Sequence, residues 1–587
     1  VSVKIFSRST RLEDNEAKKE IVQNQRENKM TKHLALLTLL CSTFFAYATP
    51  DDILVIVLPS EIITTDPLYA DTDMDEVVRG NVYEGLVTTD GTLAPLLSTN
   101  WETSEDGTQY TFTLRDNVAF HTGKAMTCED AAYSLRSYLV ITGKPAFSYA
   151  VTGYKYWDDE EGLLDNTPFS VVTEAIYCDD QQRLIIKLLN PSPESLKDIA
   201  ELSIVDQEFT VAQGGWSGTE ADWKDWANTG EDPLNVVLNG VSAGTGAYQL
   251  ISFEVGRSVF QRFESYWGEP ASIETVVLQT TTDTNSRILA LTSGDADAIY
   301  GVPGTYAGQL EGTPGVVAAE TAFPYMEYLV FNQNFPDPAV AKLGSGKLDG
   351  QGIPADFFSD VNVRRAFLYA FDDQFIIDEV FKGRGRPSNF VIPSYLISAD
   401  FADATTSSYN LERATEAFKL AWDGQVWENG FTLTMGINPD AGLEHHEFAL
   451  TILKDRIESL NPKFRLQLET YVGGEDPYQD MLDQAPLYID YWFRSLTAGA
   501  NVEKFFEDFA NALNDDTLLE LSDQVQSAKT TDEQRAVLET LRDHMVDNAS
   551  LIVYPEHGGS YYYSDTLNGV TISPFNDAGI LWKSVSK

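Results

Sequence analysis

The side chains in this chain that could do covalent chemistry do not assemble into the pattern of any reaction. A serine nucleophile would need a Gly-x-Ser-x-Gly elbow and a zinc hydrolase a His-Glu-x-x-His helix, and neither occurs. Gly344, Ser345, Gly346 and Lys347 look like the end of a phosphate-cradling loop, but no glycine stands five residues before Gly346. His445 and His446 are adjacent, so on a helix they point in different directions and cannot form an i, i+4 metal pair. Asp71, Asp73 and Asp75 open like a calcium loop, yet Glu76 stands where that loop needs glycine and Val82 where it needs a bidentate glutamate. No catalytic residue, cofactor or metal ligand is therefore expected. What remains is recognition chemistry: Asp490, Tyr491, Trp492 and Arg494 crowd into five positions with Phe493. An arginine beside a tryptophan can hold a carboxylate with two bonds or stack on a ring.

The elements that must position such residues are mixed α and β. Alternation of apolar and polar residues predicts strands at 110–114, 184–188, 248–253 and 431–435. Helical spacing predicts helices at 128–138, 362–371, 411–422 and 447–460. Thr127 is placed to cap the first of these, with Asp130 three residues on as the return partner of a capping box. Asp106-Gly107 predicts a turn into the strand that follows, and Gly383 to Pro387 a loop. Residues 214–232 read as an irregular excursion whose Trp216, Trp223 and Trp226 pack it onto its own domain in preference to stacking on ligand.

Composition adds bounds. The chain carries 41 basic and 89 acidic residues, a formal charge of −48, which repels nucleic-acid phosphates and anionic lipid and favours solubility. The acidity is spread along the chain, as in proteins of saline surroundings, and solvated acidic faces account for most of it. From Met30, Lys32 and His33 precede an apolar run from Leu34 to Phe45 and then Ala46-Tyr47-Ala48, the form of a secretory signal cleaved after Ala48. Residues 1–29 are read as a polar leader outside the fold. Cys41 lies in the apolar run after Leu40, where a lipid-attachment signal wants a small residue, so a freely diffusing exported protein is expected. Cys128 and Cys178 remain after the signal; in an oxidising compartment they could form one disulfide or stay as two buried thiols. The length from Thr49 onward calls for two or three domains.

An ordered set of motifs goes further. Tyr83-Glu84-Gly85-Leu86, Arg115, Phe120-His121-Thr122-Gly123, Gly244-Thr245-Gly246-Ala247-Tyr248, Tyr266-Trp267-Gly268 and Val361-Asn362-Val363-Arg364-Arg365-Ala366 follow one another along the chain. The series resembles the large extracellular solute-binding proteins of ABC importers, the family of the oligopeptide and dipeptide receptors. The resemblance implies an α/β, two-lobed periplasmic-binding-protein fold (type II, large class, with an extra inserted domain) and a hinge between the lobes. Carried over, the first lobe takes residues 49–88, 239–334 and 546–587, the inserted domain 89–238 and the second lobe 335–545. It also implies a periplasmic monomer that captures a solute, performs no reaction and docks on ABC transporter permease subunits. His121 and the arginines at 364 and 365 are read as scaffold.

The peptide receptors that the chain resembles hold the ligand's amino group with an aspartate shortly after a cleft tryptophan. Here Trp492 matches the tryptophan, but Ser495 occupies the aspartate position and no proline follows. The stretch that would carry the dipeptide receptors' carboxylate-binding arginine, near 436–446, has none. An oligopeptide or peptide-like solute, with Asp490 or another carboxylate as relocated anchor, is therefore expected; an oligosaccharide or small organic acid is the alternative. The expected ligand-facing residues are Trp492, Arg494, Asp490 and Tyr491, with Tyr325, Tyr328 and Asn332 at the lobe crossover, Tyr554 near the returning tail, and Tyr69 and Asp71 from the first lobe.

Overall fold

Apolar side chains on both faces of Ile53–Leu58 (β1) make it a strand that only a covered sheet can hold. The computed structural model seats it near the centre of seven strands, parallel to Thr275–Thr280 (β10) on one side and to Ala298–Ile299 (β11) on the other. Beyond β10 lie Arg257–Arg262 (β9) and Tyr248–Glu254 (β8); beyond β11 lie Ser560–Ser564 (β20) and Val316–Glu320 (β12). The structure describes residues 50–587 except 71, 89–92, 143–144, 153–167, 228, 230–234, 304–305, 321–324, 336, 398–407, 438–443, 472–476, 494–501, 503–504, 507–508, 511, 558–559 and 573–578; at a few described positions, 325 and 491–493 among them, only the backbone is described. From Thr49 the chain is one compact unit.

A second sheet of four strands, Ser98–Thr103 (β4), Gln109–Leu114 (β5), Leu184–Lys187 (β7) and Ile176–Cys178 (β6), falls inside the segment expected to form the inserted domain. Gly107, at φ +72°, turns β4 into β5, and Asp106 accepts from Ser104 and Thr108 as the Asp-Gly pair predicted. The helix Cys128–Ser137 starts with the capping box expected of Thr127 and Asp130. Cys128 and Cys178 form a disulfide that ties this helix start to the end of β6. Trp216 and Trp223 are buried, Trp216 against Tyr133 and Phe169, so the excursion packs onto its own domain. A two-strand ribbon, Val87–Thr88 (β2) with Ala94–Pro95 (β3), leads into this sheet.

Five of the six sequence motifs meet at one point, the sixth, at 361–366, lying apart in the core of a five-stranded sheet. The buried Glu84 carboxylate accepts from Thr245 Oγ1, Tyr266 Oη and Trp267 Nε1, each at 2.8 Å, and Arg115 lies over the Trp267 ring at 4.2 Å. Gly244 and Gly246 are required there, since an added Cβ would lie 2.2 and 2.7 Å from the Val82 carbonyl oxygen. His121 donates from Nε2 to the Gly246 carbonyl at 2.9 Å and accepts at Nδ1 from Ser242 Oγ at 2.6 Å. Through Arg115 and His121 this knot joins the segment expected to form the inserted domain to the chain around Glu84 and Thr245. It is scaffold.

The third large sheet runs Phe464–Thr470 (β16), Phe431–Ile437 (β15), Leu487–Phe493 (β17), Tyr325–Phe331 (β13) and Leu551–Val553 (β18). β15 is parallel to both its neighbours, while β13 is antiparallel to β17 and β18. Alternate residues of β13 enter different cores: Leu329 and Phe331 pack with Phe357, Phe367 and Phe431, whereas Met326, Tyr328 and Val330 pack with Phe505 and Phe509. The predicted helix at 362–371 is Val361–Ala370, and its Arg364 donates to the carbonyls of Asn548 and Ala549, closing the end of the helix Thr531–Asn548. The helix predicted to reach residue 422 ends at Leu420, and Trp422 turns out at φ +50°. The loop predicted at 383–387 carries one short ladder, Gly385–Arg386 (β14) against Glu556–His557 (β19).

The chain passes between the seven- and five-stranded sheets from β12 to β13 and returns from β18 through β19 to β20. β13 and β18 lie in segments expected for the first lobe, yet both belong to the five-stranded sheet, where β13 pairs with β17 of the segment expected for the second lobe.

Candidate binding site at the crossover strands

Five of the ten expected ligand-binding residues, Tyr325, Tyr328, Asp490, Tyr491 and Trp492, lie on β13 and β17, and Asn332 directly follows β13. Their register sets Tyr325 opposite Phe493, Met326 opposite Trp492, Glu327 opposite Tyr491 and Tyr328 opposite Asp490. Asp490 is buried and accepts from Tyr478 Oη at 2.7 Å. Tyr328 is fully buried, donates to the Val391 carbonyl at 2.8 Å and meets Phe505 edge to face. Asn332 is buried and donates to the Leu482 carbonyl at 3.0 Å. Tyr325, Tyr491 and Trp492 are placed by their backbones alone, and Arg494 and Asp71 lie outside the described residues. Tyr69 is set apart from this group: it packs against the core shared by the seven- and four-stranded sheets, lining a small cavity with Tyr133, Trp216 and Trp226.

Tyr554 stands beside a group that sequence reasoning set aside. Glu327, buried on β13, receives His445 Nε2 at 2.8 Å from its Oε1, with His446 Nε2 3.4 Å from the same oxygen and His557 Nε2 3.4 Å from Oε2. The Tyr554 amide donates to the Glu327 carbonyl at 2.8 Å, extending the β13–β18 ladder, and the Tyr554 ring centre lies 5.6 Å from that of His445. Phe381 stacks on His557 with ring centres 4.0 Å apart. Burial alone would raise the Glu327 carboxyl, but the three imidazoles hold it well below the usual carboxylate range. Burial pushes the His446 imidazole down, against the pull of Glu327.

Adjacent histidines diverge along a helix, as the sequence argument held, but His445 and His446 lie in the first turn of the helix Glu444–Leu460. From that end both rings approach one carboxylate instead of facing along the helix side. The signal that could have found the site is Glu327 itself, a carboxylate at an inward position of the strand Tyr325–Phe331, whose other residues are aromatic or aliphatic. Three of the chain's six histidines converge on it.

Such a cluster can hold charge or a cation, and the aromatic strand ends beside it can face a solute. Residues 92–483 match the middle region of the bacterial extracellular solute-binding proteins, family 5. The nickel-binding periplasmic protein of Escherichia coli is 27% identical over 351 residues, 59% of this chain and 56% of that protein. The dipeptide-binding protein of the same organism is 26% identical over 355 residues, 59% of this chain and 57% of the relative. The matched stretch thus spans little more than half the length of these curated relatives. The solved structure of NikZ from Campylobacter jejuni in complex with Ni(L-His) superposes with a TM-score of 0.66 at 16% identity, covering 92% of this chain and all of that one. The fold is that of the two-lobed periplasmic binding proteins, and the chain belongs to the bacterial extracellular solute-binding proteins of family 5.

Proposed function

We propose that this protein is the periplasmic solute-binding subunit of an ABC importer, capturing an oligopeptide or peptide-like solute between two lobes and delivering it to membrane permease subunits. The observation that carries the reading is the double crossing between two large sheets in a chain of this family: two passages of backbone link bodies that can close on a ligand. The compact unit begins at Thr49, the residue that would follow cleavage of the leader. Among the described residues no helix is long and apolar enough to cross a membrane. The first lobe is assigned 49–88, 239–334 and 546–587, the inserted domain 89–238 and the second lobe 335–545. The protein acts as a monomer and binds without catalysis.

For the cleft, the proposed ligand-binding residues are Asp490, Tyr491 and Trp492 of β17, with Arg494, and Asp490, which accepts from Tyr478, is the proposed anchor for the ligand's amino group. An extended peptide gains affinity from main-chain hydrogen bonds and selectivity from side-chain pockets. Thermal unfolding of the protein against panels of peptides, oligosaccharides and small organic acids tests this. A peptide at about 100 times its dissociation constant adds roughly 2.7 kcal/mol to a folded state that alone binds it. That gain is expected to shrink in Asp490→Asn. Stabilisation by sugars or acids and none by peptides would overturn the assignment.

A further inference from the structure

The Glu327 cluster is more than an internal brace. In a brace every buried polar atom would be satisfied, because an unpaired buried donor or acceptor costs stability. Here His446, 1% exposed, makes no hydrogen bond from either ring nitrogen, and Glu327 Oε2 makes none either. Glu327, His445 and His446 each offer one ligand atom, all within 4.8 Å of one another. Ligands about 2.0–2.1 Å from a tetrahedral ion sit a little over 3 Å apart, close to the 3.4 Å between His446 Nε2 and Glu327 Oε1, while His557 Nε2 stands 3.4 Å from the other oxygen, Oε2, and has to move in to join the three.

We infer that Glu327, His445 and His446 form a binding site for a divalent transition-metal ion, with His557 as the fourth ligand. Imidazole and carboxylate donors suit zinc, nickel, copper or iron, whereas magnesium and calcium take oxygen ligands. The side chains of His445 and His557 are the more accessible, at 12% and 11% exposure, and supply the way in. Glu327 stands on the strand that enters the five-stranded sheet, His557 on the segment that leaves it, and the two remaining histidines on one helix start. A bound ion therefore ties both crossings to that helix, whichever solute occupies the cleft.

The test is calorimetric titration of the chelator-stripped protein with Zn²⁺ alone and Ni²⁺ alone, without peptide. One ion per chain is expected. Glu327→Gln, His445→Gln and His446→Gln are each expected to weaken binding by about 100-fold or more, while His544→Gln, whose ring pairs with Asp515 elsewhere, leaves it unchanged. Should Glu327→Gln fail to fold, the two histidine variants and the visible absorption of Co²⁺ bound to the unmutated protein decide. Absence of a stoichiometric ion in the unmutated protein, or an affinity untouched by His445→Gln and His446→Gln, would overturn the site while leaving peptide capture standing.

Discussion

Asp66 shows how a single buried group gives this protein a pH dependence of its own. Its carboxylate accepts from the backbone amides of Leu68, Val237 and Leu238, yet burial outweighs those bonds and pushes its pKa up to about 6. A carboxyl raised in the folded state holds its proton more tightly there than in the unfolded chain. Its contribution is therefore full below about pH 4 and lost as pH rises through about 6, a fall of up to roughly 3 kcal/mol. Denaturant titrations across that window should show this fall, flattened in Asp66→Asn; equal slopes in the two proteins would refute it. At this scale the sequence was readable where the partners lie within a few residues of one another, as with Asp106 and its turn partners Ser104 and Thr108. It was unreadable at Glu327, whose partner His445 is 118 residues away, because no local pattern reports which strand faces which helix end.

The elements follow their local rules where one face is wet. The helix Cys128–Ser137 has its capping pair within four residues, and β5 alternates, so both were legible. β1 was harder, since a strand covered on both faces has no period of two. The helix Leu411–Leu420 ended two residues early because Trp422 leaves the helical region. The disulfide gives the domain proposed for residues 89–238 a measurable signature. It closes a loop of 50 residues, which by loop entropy stabilises by about 4 kcal/mol. Cys128→Ser with Cys178→Ser, or reduction of the unmutated protein, should move the denaturant midpoint of that domain downward by an equivalent amount; an unchanged midpoint would show that the bond does not form in solution.

Over the whole molecule, a chain of charge −48 with no assembled reaction centre in its sequence is built for solubility and capture. Two large sheets joined by two crossings suit the proposed capture between lobes, in which a ligand touching both sides would shift the population toward a closed form by its differential affinity. The family assignment was legible because the motifs come in order; the ligand was not, because Trp492 is matched while the aspartate expected at Ser495 is missing. The most direct measurement of the central claim is small-angle X-ray scattering of the protein with and without a saturating pool of short peptides. A smaller radius of gyration is expected with peptide as the lobes close. A radius that stays the same while peptide is demonstrably bound would contradict capture between two lobes.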